Sequence, residues 1–454
     1  MKPIEAAKKT MPETKIIVLD DDPTGSQTVH GCLLLTRWDV ATLRQALDDA
    51  SPLFFVLTNT RGMGADQAAA VTREVCHNLK QALTDWSAAL AGQGREVHPL
   101  FVSRSDSTLR GHYPVETDVM AEELGPFDAH FLTPAFFEGG RITRDSVHYL
   151  LVDGRPVPTA ETEFARDSVF GYSTSFLPDY VAEKTRGRIP ADRVERFRLA
   201  EVRAGVRERL MALRGNACGV VDAETQTDLD RFAAEVLDCV AAGKRFLFRS
   251  AASLLTALAR LPLQPVAATA MRQYVRGGRP GAVIVGSHVK KTTEQLQRLL
   301  AQPGTAPLEI DVDRIQPERD TLLAATLAQA EELHAQGRTP VIFTSRAERT
   351  FADQATRLAF GDRVSAFLMA VVRGLPGTLG FLISKGGITS NDVLSTGLAL
   401  ASSRVLGQIL PGCSVVRCPA DHPRYPDLPV VIFPGNVGDE EALAEVYRRL
   451  AGNA

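Results

Sequence analysis

The chain has 454 residues, 44% of them hydrophobic and 23% charged, and a formal net charge of −3. That length exceeds one ordinary core and predicts two or three domains, and the balance is that of a soluble globular protein. No basic tract interleaved with aromatics offers a nucleic-acid surface, and no run of about 18 apolar residues offers a membrane span.

The six cysteines (Cys32, Cys76, Cys218, Cys239, Cys413, Cys418) form no C-x-x-C pair and no disulfide framework, which suits a reducing compartment. Cys413 and Cys418 lack the His/Cys partners that zinc spacing requires. The segment 1–14 is polar and has no apolar signal-peptide core, so the expected location is the cytoplasm. A monomer and a homo-oligomer fit equally well.

Residues 16–19 form a short apolar run, as a buried parallel strand does, and end in Asp20-Asp21-Asp22-Pro23-Thr24-Gly25. A second strand is expected over 31–36 and a helix over 40–50. A third strand, 53–57, runs into Thr58-Asn59-Thr60-Arg61-Gly62. After a long helix over 65–91 comes strand 100–103, ending in Arg104-Ser105-Asp106-Ser107-Thr108-Leu109-Arg110-Gly111. Strands alternating with helices predict an α/β fold with mainly parallel sheets.

Periodicity fades over 134–190, which reads as a binding loop or lid. Strand patterns return at 219–222 and 246–248. A proline-interrupted helical stretch then ends in Gly277-Gly278-Arg279-Pro280-Gly281, the strongest linker signal in the chain. The predicted division is domain 1–252, linker 253–281 and domain 282–454.

The second half restarts with strand 282–285 and Gly286-Ser287, then a helix with Thr292 and Gln295 at capping-box spacing. Helices are expected over 320–336, 355–373 and 440–450, the last capped by Asp439. Strands are expected over 341–345, from Gly380 into Lys385-Gly386-Gly387-Ile388-Thr389-Ser390, and over 430–433 into Pro434-Gly435-Asn436-Val437-Gly438.

In an open α/β sheet, ligands lie outside the carboxyl ends of the strands. Three adjacent aspartates there need cations or hydroxyl donors. Arginine can fork onto a carboxylate while aspartate accepts from hydroxyls, so Arg61 and the Arg104–Arg110 cluster suit a hydroxylated acid. The glycine turns allow close approach of phosphates, although none fits the Walker A pattern. The expected chemistry is phosphate transfer from the glycine end to the acidic end. His30, His112 and His288 adjoin these segments and are candidate contacts.

On these residues the chain resembles the four-carbon acid sugar kinase family. Asp21-Asp22-Pro23-Thr24-Gly25 is similar to its D-D-F-T-G, and Thr60-Arg61 to its substrate arginine. Asp106-Ser107-Thr108-Leu109-Arg110-Gly111 is similar to K-x-D-S-T-x-R-G, with Arg104 at the lysine. Pro134-Ala135-Phe136 and Gly140-Arg141 resemble P-A-F-P…G-R, and Gly286-Ser287 resembles S-G-S. Gly386-Gly387-Ile388-Thr389 resembles G-G-E-T, and Pro434-Gly435 with Gly438 resembles P-G-x-F-G. Pro23 stands in place of an aromatic, Ile388 of a glutamate, and Asn436-Val437 of a glycine-phenylalanine pair.

The resemblance implies two α/β domains with the active site in the interdomain cleft, and ATP with Mg2+ as cofactors. It implies a threonate, erythronate or 3-oxo-tetronate as substrate. Asp22 and Asp106 are the implied catalytic residues. Asp21, Asp22, Arg61, Arg104, Ser105, Asp106, Ser107 and Arg110 would bind the acid, its carboxylate on Arg61 or Arg104. Ser287, Gly386, Gly387, Ile388, Thr389, Gly435 and Gly438 would bind the nucleotide. Two other readings compete. Asp20-Asp21-Asp22-Pro23-Thr24 also reads as the D-x-D-x-T of haloacid-dehalogenase-like phosphatases, and a non-catalytic sugar-acid-binding protein would need the first half alone.

Overall fold

The computed structural model describes residues 13–346, 353–435 and 437–452. Asn436 and most of the N-terminal segment read above lie outside them. The chain forms two compact units. One comprises the chain up to Leu19, Asp39–Phe54 and Ala68–Ala259; the other comprises Asp20–Trp38, Phe55–Gln67 and the chain from Arg260 onward. The Asp20–Asp22 and Thr58–Arg61 strand ends thus pack with the C-terminal half of the sequence.

The strands in chain order begin with β1 (Glu13–Asp20), β2 (Leu33–Leu35), β3 (Leu53–Leu57), β4 (Val97–Arg104), β5 (Ala129–Thr133), β6 (Arg141–Arg144), β7 (Val147–Val152), β8 (Arg155–Pro158) and β9 (Glu195–Phe197). They continue with β10 (Ala217–Val221), β11 (Phe246–Ser250), β12 (Ala282–Val285), β13 (Thr305–Ile310), β14 (Thr339–Thr344), β15 (Leu382–Lys385), β16 (Ser402–Leu410), β17 (Cys413–Arg417) and β18 (Pro429–Phe433).

In the first unit the sheet order is β1-β4-β11-β5-β10-β9, and β3 runs from this unit into the second at Phe55. Pairing from β4 through β9 is parallel. Helices cover such a sheet on both faces, so its strands are apolar throughout; every residue of β3, β5 and β11 is buried. Phe131 on β5 stacks on Phe248 at 5.3 Å and meets Phe246 edge-on at 5.4 Å. Gly219 leaves room for this ring: a methyl there would stand 2.7 Å from it.

The stretch expected to be irregular is ordered instead. β6, β7 and β8 form an antiparallel sheet, followed by helix Leu177–Lys184. Its strands are short and joined by two-residue turns with positive φ at Asp145, Ser146, Asp153 and Gly154. Asp-Gly is a recognised hairpin turn, but helical or long-strand periodicity has no room to develop between such turns.

In the second unit the order is β13-β14-β12-β15-β18-β17-β16-β2. β13 through β18 pair in parallel, whereas β17, β16 and β2 add an antiparallel edge that the sequence pattern does not announce. Val283, Ile383, Val431 and Phe433 form its core with Leu296 and Leu299 of helix Lys290–Leu300 and Leu443 and Val446 of helix Ala442–Ala451. No helix among the described residues is long and apolar enough to cross a membrane.

One local expectation fails here. Thr292 and Gln295 form no capping box: both lie inside their helix, which has no side-chain N-cap. They reach instead to the loop after β18, as described below.

Candidate functional site

The aspartates after β1 occupy three different environments. Asp20 is wholly buried, and its carbonyl accepts from the Thr58 amide at 2.9 Å and the Thr58 hydroxyl at 2.9 Å. A methyl at Gly25 would overlap the Asp20 carboxylate, so only glycine lets the turn close over it. Asp21 is also buried and is gripped by Arg61, whose Nε and terminal nitrogen lie 3.2 and 2.5 Å from its two oxygens. This is the fork-on-carboxylate geometry that planar guanidinium favours. Asp22 is partly exposed. One oxygen accepts from the Thr24 amide at 2.9 Å and the Thr24 hydroxyl at 2.5 Å, while the other lies 3.4 Å from Arg61.

Asp22 also meets the glycine turn after β15: a methyl at Gly387 would stand 3.4 Å from its carboxylate oxygen. That turn converges with two others. Gly386 has φ +119°, a conformation open to glycine, and a methyl on it would stand 3.2 Å from both the Ser287 Cβ and the Thr389 hydroxyl. A methyl at Gly286 would overlap Thr389, and one at Gly435 would stand 3.4 Å from the Ser287 hydroxyl. Ser287, Gly386, Gly387, Thr389 and Gly435 are therefore one group of neighbours at the carboxyl ends of β12, β15 and β18. Ile388 projects from it, 70% exposed. Gly438 has a different role: it faces Ala442 of the last helix, where a methyl would overlap.

Several residues that hold this group escaped the sequence reading. Thr292 Oγ1 lies 3.1 Å from the Ser287 hydroxyl and 3.2 Å from the Gly435 carbonyl. Gln295 donates to the carbonyls of Val437 at 3.0 Å and Asp439 at 2.6 Å. Arg346 donates to the Ser287 carbonyl at 2.8 Å. Lys385 is fully buried over the Phe433 ring and donates to the carbonyls of Pro434 at 2.5 Å and Gly435 at 3.2 Å. Its pKa is lowered to about 7, mainly by burial, with Cys413 opposing the shift and Lys291 adding to it.

The first unit carries the second polar cluster. Ser250 at the end of β11 is the register partner of Arg104 on β4 and of Thr133 on β5, so three strand ends share one edge. Asp106 accepts from Arg110 Nε at 2.6 Å and from the Thr108 hydroxyl. Arg110 lies over the Phe164 ring at 4.9 Å. Arg104 and Ser107 are buried, and Ser105 donates to the Arg110 carbonyl at 2.9 Å.

The carbonyls of Ser107, Thr108 and Leu109 accept from His148, Tyr172 and Tyr180 at 2.7, 2.9 and 2.8 Å. Burial pushes Tyr172 up to about 12 and raises Tyr180 also, so both remain hydroxyl donors. The loop is thereby fixed along its whole length, with Leu109 held at φ +67°.

A recess opens beside this loop, with Tyr113, Leu132 and Tyr180 on its apolar wall and Ser105, Asp106, Arg110, Arg249 and Ser250 on its polar one. Arg249 is buried and fully engaged, with Glu116 at 2.5 Å and Ser103 and Ser105 at 2.7 Å. The hydroxyls of Ser250 and Thr133 are buried without a hydrogen-bond partner, an arrangement that leaves donor capacity for a bound polyol.

The three candidate histidines are locally occupied. His30 bonds the Pro262 carbonyl, His288 bonds the Thr344 hydroxyl, and His112 meets the Phe170 ring edge-on.

Residues 16–258 match the family model of a sugar-binding N-terminal domain, and residues 282–443 match that of a nucleotide-binding C-terminal domain. The chain is 32% identical over 233 residues to D-erythronate kinase of Heliobacterium modesticaldum, covering 48% of this chain and 47% of that protein. It is 29% identical over 195 residues to D-threonate kinase of Bordetella bronchiseptica, covering 40% and 44%. The chain spans about half the length of the curated relatives it matches.

A crystal structure from Salmonella typhimurium LT2 superposes with a TM-score of 0.68 at 19% identity, covering 96% of this chain and 99% of that one. A Haemophilus influenzae protein of the DUF1537 family superposes with a TM-score of 0.62 at 18% identity, covering 96% and 100%. These likenesses establish the fold. With the two domain models matched in order over most of its length, the chain belongs to the four-carbon acid sugar kinase family.

Proposed function

We propose that this chain transfers the terminal phosphoryl group of ATP to the terminal hydroxyl of a four-carbon sugar acid, a tetronate or oxo-tetronate, in cytoplasmic carbohydrate catabolism. The observation that carries the reading is the Asp22 carboxylate facing the Gly386-Gly387 turn. A nucleotide cradled by glycine backbone would meet there the acidic group that can receive a proton. The names of the two curated relatives put erythronate and threonate first among candidate acceptors. The proposed division is an acid-binding domain over 1–252, a linker over 253–281 and a nucleotide-binding domain over 282–454.

In this reading Ser287, Gly386, Gly387, Ile388, Thr389, Gly435 and Gly438 serve the nucleotide. Asp21, Arg61, Arg104, Ser105, Asp106, Ser107 and Arg110 serve the acid. Asp22 orients the attacking hydroxyl and takes its proton, with Arg61 fixing its position. Asp106, held by Arg110 and Thr108, orients the acid through another hydroxyl. Phosphoryl transfer asks the protein mainly for such positioning and for charge neutralisation.

Among the described residues no cluster of three or more His, Cys, Asp or Glu side chains is placed to hold a metal. Mg2+ does not need one, because it keeps waters and phosphate oxygens and takes one or two carboxylates. Asp22 is the carboxylate that would hold it, and the bound ion would neutralise charge on the transferred phosphoryl group.

The test is ADP release from Mg-ATP across a panel of tetronates and their 2-oxo and 3-oxo forms. ADP that depends on one or two of these acids supports the reading. No turnover and no nucleotide-induced rise in melting temperature would sink it, and phosphoenzyme formed without ATP would put the phosphatase reading first.

A further inference from the structure

Arg61 and Arg104, the two arginines expected to receive the acid's carboxylate, are engaged or closed off, and so are their neighbours Arg110 and Arg249. Arg61 is forked onto Asp21 and lies 3.4 Å from Asp22. Arg110 is bonded to Asp106 and lies 3.7 Å from Asp167. Arg249 is paired with Glu116. Arg104 is 4% exposed and closed to solvent.

Arg141 differs from Arg61, Arg110 and Arg249 in pairing with no carboxylate among the described residues, and from Arg104, whose Nε is likewise unpartnered, in being half-buried and not closed off. It makes no ion pair with any described residue, its Nε is buried without a partner, and its one hydrogen bond goes to the Gly139 carbonyl. It opens β6, where the backbones of Phe136 and Arg141 bond each other at 2.8 and 3.0 Å and fix the strand start. A methyl at Gly139 would overlap both the Arg141 guanidinium and the Phe136 ring, so glycine is what lets the guanidinium lie against this backbone.

Its direction follows from the strand. Arg141 and Thr143 are two apart on β6 and share a face. Thr143 bonds His148, which donates to the Ser107 carbonyl, so this face looks onto the Asp106–Arg110 loop. The charged groups acting on Arg141 are Asp106, Arg110 and Glu163, and burial lowers its pKa. A half-buried guanidinium keeps its charge and, without a counter-ion, favours an anion that can accept its fork.

We infer that Arg141 is the receptor for the carboxylate of the acid substrate, with the hydroxyls of that substrate along Asp106 and the unpartnered Ser250. This rests on the proposed kinase reading and deepens it: it makes Arg141 the residue that selects acids over neutral polyols.

The experiment compares wild type, Arg141→Met and Arg141→Lys on erythronate, threonate and their neutral amides, with ADP release and ligand-induced melting shifts measured in parallel. In Arg141→Met the acid KM rises about 10²-fold, the ATP KM stays within about 2-fold, and the acid-over-amide ratio of kcat/KM falls toward unity. Arg141→Lys lies between and decides the matter on the same ratio if the methionine variant does not fold. Variants that keep the wild-type acid-over-amide ratio overturn the assignment, as does a wild type that uses acid and amide alike while still making ADP. A wild type that binds an acid through Arg141 but never makes ADP keeps the assignment and removes the kinase reading. A wild type that neither binds nor turns over any of these acids overturns both.

Discussion

His148 Nε2 lies 2.7 Å from the carbonyl oxygen of Ser107. A carbonyl can only accept, so Nε2 carries the proton and Nδ1, 2.9 Å from the Thr143 hydroxyl, accepts from it. The ring is fully buried, and that burial holds its pKa down to about 4. A histidine forty-one residues from Ser107 in sequence therefore pins the loop that carries Asp106 and Arg110.

The sign of its pH effect follows. Between about 6.5 and about 4 the unfolded chain binds the proton and the folded one does not, so stability falls as pH drops through that window. His148→Ala is expected to cost about 2–4 kcal/mol near neutral pH, from two orphaned polar groups and the cavity. It should also show a shallower acid slope than wild type. Denaturant midpoints across that range check this, and parallel slopes for the two proteins would refute it.

Asp22→Asn keeps the shape of the side chain and its bond from Thr24 while removing the proton acceptor. The expected loss is about 10²–10⁴-fold in kcat, with stabilisation by metal-free ATP retained because the Gly286, Gly386 and Gly435 backbones are untouched. Near-normal turnover would remove Asp22 from proton transfer. Loss of nucleotide binding alone would make it a structural support of the glycine turn.

Much of this arrangement is legible in the residues. Each aspartate and arginine cluster follows a short apolar run, and parallel sheets gather such strand ends on one edge. What one stretch cannot tell is which charges are already neutralised in the fold. Arg61, Arg110 and Arg141 look alike as letters, yet the first two are occupied by carboxylates and the third is not. The same blindness explains Thr292 and Gln295. Their spacing fits a capping box, but their partners, Gly435, Val437 and Asp439, lie more than 140 residues away in sequence. Nor does chain order reveal that Asp20–Trp38 and Phe55–Gln67 leave the first unit and pack into the second.

Gln295→Ala tests the consequence of those long-range bonds. Its side-chain amide joins helix Lys290–Leu300 to the Val437 and Asp439 carbonyls, and Gly435 begins the same loop. Removing it should cost about 1 kcal/mol of stability through the loss of two part-buried hydrogen bonds. The ATP KM should rise several-fold while the tetronate KM stays unchanged. An equal rise in both constants would count against a role confined to the nucleotide loop.

Lys385 gives the last prediction, and its chemistry runs opposite to that of a surface lysine. It is buried, has no ion pair among the described residues, and lies near Cys413, whose thiol burial pushes up to about 12 and so keeps neutral. Desolvation lowers the ammonium to about 7 from its ordinary 10.5. Between those values the unfolded chain holds a proton that the folded chain has released, so stability rises with pH across the window. Lys385→Met fills similar volume without a titrating group and should lack that rise. The stability of wild type relative to the variant should increase from about pH 7 to about pH 10. The variant also loses the bonds to the Pro434 and Gly435 carbonyls, so its ATP KM should rise at every pH. Denaturant midpoints that run parallel with pH would show that Lys385 stays protonated in the fold and that the cost of burying its charge is met by those two carbonyls and the Phe433 ring.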